Sequence, residues 1–207
     1  MTEQLGLRER KKLETRRRIA DAALGLFDER GFDRVPVTEI ARAANVSEAT
    51  VFNYFPSKED LVYGGMQSYE ERLLAAVAAR PEGTSAVVAF REFVLEPRGA
   101  LADDDGGASS AVARTARIIA GSETLQAREQ RIVDQATDAL AELIARDPSA
   151  PSSALSAWVT ANALMGVNRA MTRLAQRLAA QGGSGLEIGR AMRKEGREAF
   201  ELLERGL

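Results

Sequence analysis

Apolar residues recur along this chain three and four positions apart, the spacing of one helix face, and few stretches alternate with period two. The first such run covers residues 10–30, with Leu13, Ile19, Ala23, Leu26 and Phe27 in phase. Gly31 stops it and Phe32 follows, a pattern in which glycine takes the left-handed position and the next residue packs back on the helix. A short helix is predicted from Pro36 or Val37 to Ala44. Pro36 fits its first turn, where a missing N–H costs nothing. Asn45 can adopt the left-handed conformation that ends it. Ser47 is a good N-cap for a third helix over 47–55, which Pro56 breaks. Ser57 and Asp60 make a carboxylate version of the capping box for a fourth helix over 57–80. Five further helices are predicted over 84–96, 108–120, 122–146, 152–181 and 186–205. Residues 1–9 read as a loose arm, and Asp103-Asp104-Asp105-Gly106-Gly107 as a solvated loop.

The segment from Val37 to Phe55 carries the chemistry. Ile40, Ala41 and Ala44 give the second helix an apolar face, Val46 points in from the turn, and Val51 and Phe55 continue that core on the third. Small Ala41 and Ala44 let the two helices approach closely. This is the layout of a helix-turn-helix, whose second helix enters the major groove of DNA. Glu48, Ala49, Thr50, Phe52, Asn53 and Tyr54 are left outward or on the flank. Thr50 can bond a phosphate or base edge or touch a thymine methyl, and Asn53 can read adenine with a paired contact. Phe52 offers apolar contact only. Tyr54, Lys58 and the start of the fourth helix are placed for phosphates.

Charge sharpens this reading. The chain of 207 residues has a net charge of −2, which argues against a nonspecific nucleic-acid coat and leaves a specific binder open. The basic residues gather at the start: Arg8, Arg10, Lys11, Lys12, Arg16, Arg17 and Arg18 stand against Glu3, Glu9 and Glu14 in the first 20. A basic segment beside a helix-turn-helix reaches phosphates or the minor groove. With no Cys and no His, disulfides, Cys/His zinc sites, a histidine base and a cysteine nucleophile are excluded. Gly183-Ser184-Gly185-Leu186-Glu187-Ile188-Gly189 has the wrong spacing for a nucleotide-binding loop and no strand before it. No enzyme is therefore expected, and no catalytic residue, metal or cofactor is assigned. The polar first twenty residues and the lack of any run of about eighteen apolar residues predict a cytoplasmic protein without a membrane span.

Thr15-Arg16-Arg17-Arg18-Ile19, Ala22-Ala23-Leu24-Gly25-Leu26-Phe27, Gly31-Phe32, Val37-Thr38-Glu39-Ile40-Ala41, Val46-Ser47 and Tyr54-Phe55-Pro56-Ser57-Lys58-Glu59-Asp60-Leu61 occur in fixed order. Over about residues 10–63 the chain thereby resembles the N-terminal domain of regulators of the TetR (tetracycline-repressor) family. The resemblance implies an all-α subunit of about nine helices. Residues 1–56 would be an arm and three-helix DNA-binding domain, and 57–207 a helical ligand-sensing and dimerisation domain. It also implies a homodimer through the last two helices, a palindromic double-stranded DNA operator, and repression relieved by a small-molecule effector. By position, Thr50, Phe52, Asn53, Tyr54 and Lys58 match the family's usual DNA contacts. Arg16, Arg17, Arg18, Thr38, Ser47, Glu48 and Ala49 complete the candidate DNA-binding set. Two residues depart from the family pattern. Pro36 stands where Thr or Ser is common and removes a side-chain phosphate anchor, and Asn45 stands where Gly is usual.

Beyond residue 80 the resemblance rests on helix number and length. The helix over 152–181 carries Leu155, Trp158, Val159, Leu164, Met165, Val167, Met171, Leu174 and Leu178, more than one stripe, so both sides need burial. One side can face the subunit core and the other a partner across a twofold axis. The last helix adds Leu186, Ile188, Met192, Ala199, Phe200, Leu202 and Leu203. Candidate effector-pocket residues are Tyr63, Met66, Tyr69, Phe90, Phe93, Ile118, Trp158, Asn162 and Met165, since aromatics and methionine suit an adaptable apolar site. Arg114, Arg117 and Asn162 are candidates for a polar group of the ligand.

Overall fold

The computed structural model describes residues 6–96, 106–147 and 153–205. These form nine α-helices and a single 3-10 turn, with no strand among the described residues. In chain order the helices are α1 (Leu7–Arg30), α2 (Val37–Ala43), α3 (Glu48–Tyr54), α4 (Asp60–Ala78), α5 (Ala86–Leu95), α6 (Gly106–Ala120), α7 (Glu123–Ala145), α8 (Ala154–Ala180) and α9 (Gly185–Arg205). The 3-10 turn, Phe32–Arg34, follows α1.

The local signals act largely as their chemistry dictates. Gly31 has φ 82° and ψ 147°, a region open essentially to glycine alone, and its N–H donates to the Phe27 carbonyl. Phe32 then folds back, with its ring 5.0 Å from that of Phe27. Asn45 is the one non-glycine residue with positive φ among those described, at 52°. Ser47, Ser85 and Ser153 cap α3, α5 and α8, each accepting the backbone N–H three residues on.

Several boundaries differ from the sequence reading, most by a residue or two. Helix α1 begins at Leu7 and not at Arg10, so Arg8 lies on a helix and not on a loose arm; residues 1–5 lie outside the described residues. Of the two starts offered for α2, Val37 is the one observed; Pro36 is its N-cap and not in its first turn, with ψ at 152°, so the chain is still extended there. The Ser57–Asp60 box forms, with the Ser57 N–H and Oγ donating to Asp60 Oδ2 at 3.0 and 2.8 Å. The turn after it is closed by three-residue bonds from Leu61 to Lys58 and Val62 to Glu59, which places the start of α4 at Asp60. The acidic run of residues 103–105 lies outside the described residues.

The helices divide into two compact units. The first comprises the chain to Gly65 together with Arg114–Arg128, and the second Met66–Ala113 with Glu129–Leu207. In the first, α1 packs on α2 and α2 on α3. Its interior holds Ile19, Ala23, Phe27, Val35, Ile40, Ala44, Val51, Phe55 and Leu61, with Leu125 from the start of α7. The Tyr63 hydroxyl donates to the Leu125 carbonyl at 2.8 Å inside this unit.

The second unit is built on one large cluster. It joins Leu73 and Val77 of α4, Phe90, Phe93 and Val94 of α5, Leu140 and Ile144 of α7, Leu164, Met165 and Met171 of α8, and Phe200 of α9. A glycine permits its closest approach: a Cβ at Gly196 of α9 would stand 2.7 Å from Leu95 Cδ2 and 2.8 Å from Met171 Cε. Asp147, just beyond α7, ties this unit's loops together. Its buried carboxylate accepts the Ala86 N–H at 2.6 Å and faces Arg80 at 3.4 Å. Removing that carboxylate leaves the buried Ala86 N–H without its acceptor and half-buried Arg80 without its ionic partner. Asp147→Ala is therefore expected to cost about 3 kcal/mol of stability, readable as a lower denaturant midpoint at unchanged m-value.

Candidate nucleic-acid interface

Helices α2 and α3 have seven residues each. Their apolar sides are buried through Ile40, Ala41 and Ala44 on and after α2, and through Val51 and Phe55 on and after α3. On α3 this leaves Glu48, Ala49, Phe52 and Asn53 exposed, with Thr50 and Tyr54 half-buried on its flanks. Phe52 is 43% exposed, a large apolar ring held in solvent. Thr38, Ser47 and Glu48 come together with Arg42, Asn45 and Val46 around one open cleft. Ser47 spends its oxygen on α3 itself. It accepts the Thr50 N–H at 3.1 Å, and the two hydroxyls lie 2.7 Å apart.

The basic residues separate into two sets. Arg16 and Arg18 are engaged within the fold. Arg16 donates to the Tyr54 carbonyl at 2.8 Å, and its guanidinium lies 4.5 Å from the centre of the Phe55 ring. Arg18 donates to the Ala44 carbonyl at 3.0 Å. Both carbonyls belong to helix C-termini, where the backbone leaves acceptors unmatched and favours positive charge. Lys58 donates to the Phe32 carbonyl at 2.6 Å and lies 4.3 Å from the centre of that ring. Burial lowers the Lys58 pKa, against the opposing pull of Asp33 and Glu59. These three cations are held by protein acceptors, a use that the count of basic residues did not reveal. Arg17 by contrast points to solvent without a backbone acceptor, and Arg8, Arg10, Lys11 and Lys12 are likewise exposed. It faces Asp21, one turn on, at 3.7 Å, on the same solvent-facing side.

The residues proposed to line an effector pocket are shared between the two units. Tyr63, Arg114, Arg117 and Ile118 belong to the first unit. There Tyr63 bonds Leu125, exposed Arg117 pairs with Asp28 at 3.2 Å, and the Arg114 Nε is buried without a hydrogen-bond partner. In the second unit Tyr69, Phe90, Phe93 and Met165 share the core cluster, while Met66 is half-buried. The Tyr69 and Phe93 rings lie 5.5 Å apart, and the Tyr69 hydroxyl donates to Asn168 Oδ1 at 3.0 Å. Trp158 and Asn162 are placed differently from the sequence reading: both stand on the exposed side of α8, with Asn162 bonded to the Trp158 carbonyl. Their neighbours Ala157, Ala161 and Leu164 take the inward positions instead. Sequence reasoning also passed over Glu70 of α4. It is only 6% exposed, and its Oε2 has no hydrogen-bond partner.

An all-helical chain carrying a buried-core helix-turn-helix in a separate compact unit is built in the manner of bacterial DNA-binding regulators. Residues 19–63 match the family model for bacterial regulatory proteins of the tetR family. It is 33% identical over 141 residues to the HTH-type transcriptional regulator TcmR of Streptomyces glaucescens. That alignment spans 62% of this chain and 62% of TcmR. The fold matches NalD of Pseudomonas aeruginosa, the secondary repressor of the MexAB-OprM multidrug efflux pump, with a TM-score of 0.57 at 19% identity, covering 95% of this chain and 98% of that one. It also matches SmeT in its triclosan complex, with a TM-score of 0.55 at 16% identity over 90% of this chain and 91% of that one.

The buried carboxyl has a consequence for stability. Burial pushes the Glu70 pKa up from 4.5 to about 7. The folded state therefore holds this proton more tightly than the unfolded chain. The stabilisation from that proton is complete below about 4.5 and is lost as pH rises through about 7. Across that window the Tm of the wild type is expected to fall more steeply than that of Glu70→Gln. Parallel pH profiles of Tm for the two proteins would contradict this.

Proposed function

We propose that this chain is a transcription regulator, acting as a homodimeric repressor on a palindromic operator and released by a small-molecule effector. The observation that carries the reading is the division of α3. Val51 and the following Phe55 are buried, and Glu48, Ala49, Phe52 and Asn53 face outward beside half-buried Thr50. A helix fixed from behind with a polar and aromatic outer face is what the major groove accepts. Asn53 has the donor–acceptor pair that matches adenine, and Thr50 can meet a phosphate or a thymine methyl. Arg17 and the exposed basic residues at the start of α1 supply phosphate contacts and the salt dependence that goes with them. Arg16, Arg18 and Lys58 position the unit from within; of these, Lys58 uses one of its three N–H donors on the Phe32 carbonyl and keeps the others for a phosphate.

Residues 1–56 then read DNA, and 57–207 sense the effector and dimerise, in the cytoplasm where the operator is. The dimer reading rests on α8, where Leu155, Trp158 and Val159 are 71%, 49% and 55% exposed on one stripe. Neighbouring apolar side chains left in water at helical spacing invite a second copy. Leu202 of α9 is similarly exposed. The sensing reading rests on the aromatic and methionine-rich interior around Tyr69, Phe90, Phe93 and Met165.

A gel-shift titration against the DNA flanking the chain's own gene, with excess nonspecific competitor, tests the DNA-binding reading. One discrete complex is expected, and Asn53→Ala is expected to weaken it by roughly tenfold or more at fixed salt without changing the salt slope. Failure on every flanking fragment and on a random duplex library would remove the proposal. For the dimer, sedimentation should give twice the chain mass for the wild type and the single-chain mass for Trp158→Glu. An unchanged mass in the variant would place the interface elsewhere.

A further inference from the structure

Six buried polar or charged residues stand out in the described structure: Glu70, Ser109, Ser122, Thr137, Asp147 and Asn168. Five of them have partners. Ser109 donates to the Gly183 carbonyl, Ser122 to Asp33, and Thr137 to the Val133 carbonyl. Asp147 accepts from Ala86, and Asn168 accepts from Tyr69. Glu70 alone keeps a buried carboxyl oxygen without a hydrogen-bond partner. Packing gives no reason for a carboxyl group at this position, since leucine or methionine would fill the space without the desolvation cost. A buried acid that the fold leaves unmatched fits a group whose partner arrives from outside.

Position narrows the kind of partner. Glu70 precedes Leu73 by three residues and Val77 by seven, so the three share one side of α4. Leu73 and Val77 are fully buried in the cluster that contains Phe90, Phe93 and Met165. Glu70 thus lies on the side of α4 that faces this apolar and aromatic cluster, and follows Tyr69, whose hydroxyl bonds Asn168. We propose that Glu70 is the charge-selecting anchor of the effector site, and that the effector is an organic cation with an apolar body. The positive group sits on the carboxylate, and the body lies against the aromatic and methionine side chains of the cluster. The carboxylate repels an anion, and a neutral donor gains the hydrogen bond without the Coulomb attraction. Aromatic faces nearby favour a cation further. This inference rests on the reading of the second unit as the sensing part of a regulator.

The test uses two ions of the same shape and opposite charge, tetraphenylphosphonium and tetraphenylborate, titrated into the full chain by calorimetry. The wild type is expected to bind the phosphonium at one site per chain and to reject the borate. Glu70→Gln should weaken the phosphonium by roughly tenfold or more, as expected for loss of a charge-assisted contact. Glu70→Asp should keep the preference for the cation. Circular dichroism confirms that each variant is folded, and the wild-type preference between the two ions stands as a test even if Glu70→Gln is not. No binding of the phosphonium, equal affinity for both ions, or full phosphonium affinity in folded Glu70→Gln would each overturn the proposal. The assay contains no DNA, so these results leave the operator-binding reading standing, and a failed gel shift leaves the charge preference standing.

Discussion

A helix of seven residues does not hold itself together in water, where isolated helices shorter than roughly twelve residues are marginal. Both arms of the helix-turn-helix are this short, so their geometry depends on what surrounds them. Apolar burial through Ile40, Ala44, Val51 and Phe55 supplies one part. The other part comes from α1, which sends Arg18 to the last carbonyls of the α2 end and Arg16 to the last carbonyls of α3. Spaced two residues apart on a long helix, these side chains tie two short helices to one rigid element. The turn between them is set by Asn45 at φ 52° and by the Ser47 cap. The exposed face of α3 is thus held by contacts made on its far side.

Much of this was legible in the sequence. Apolar spacing located every helix, and Gly31, Asn45, Ser47 and the Ser57–Asp60 box marked stops and starts that the structure contains. The outward set on α3 also followed from periodicity, because burying Val51 and Phe55 leaves little freedom for the rest. The roles of the long cations were not legible. An arginine on a basic helix reads the same whether its guanidinium meets a phosphate or a carbonyl, and the choice for Arg16 and Arg18 depends on which helix ends pass within reach. Lys58 was obscured for the same reason, since its partner is a carbonyl 26 residues away. Trp158 misled through its type. A large aromatic suggests an interior, but Ala157 and Ala161 fill the inward positions beside it.

The second unit follows a different logic. Its core is large and apolar, so each polar group inside it has to be matched. Asp147 shows how the chain manages this, by placing a carboxylate where a helix N–H and Arg80 converge. On the surface the same chemistry recurs at Ser184 and Glu187, where two hydrogen bonds from Ser184 hold the Glu187 pKa below its usual value at the start of α9. Glu70 departs from that rule. Ser109, Thr137, Asp147 and Asn168, the other buried polar residues described in this unit, all have partners, so the departure points to function more than to packing, much as strain in a backbone does.

Trp158 is the only tryptophan in the chain, and it stands half in solvent at the exposed apolar stripe of α8. Its emission therefore comes from a single, known place. A wet indole emits at longer wavelength than a dry one, so the colour of the protein's intrinsic fluorescence reports whether that stripe is covered. The molecule carries its own optical gauge of association, with no dye to attach and no second indole to blur the signal.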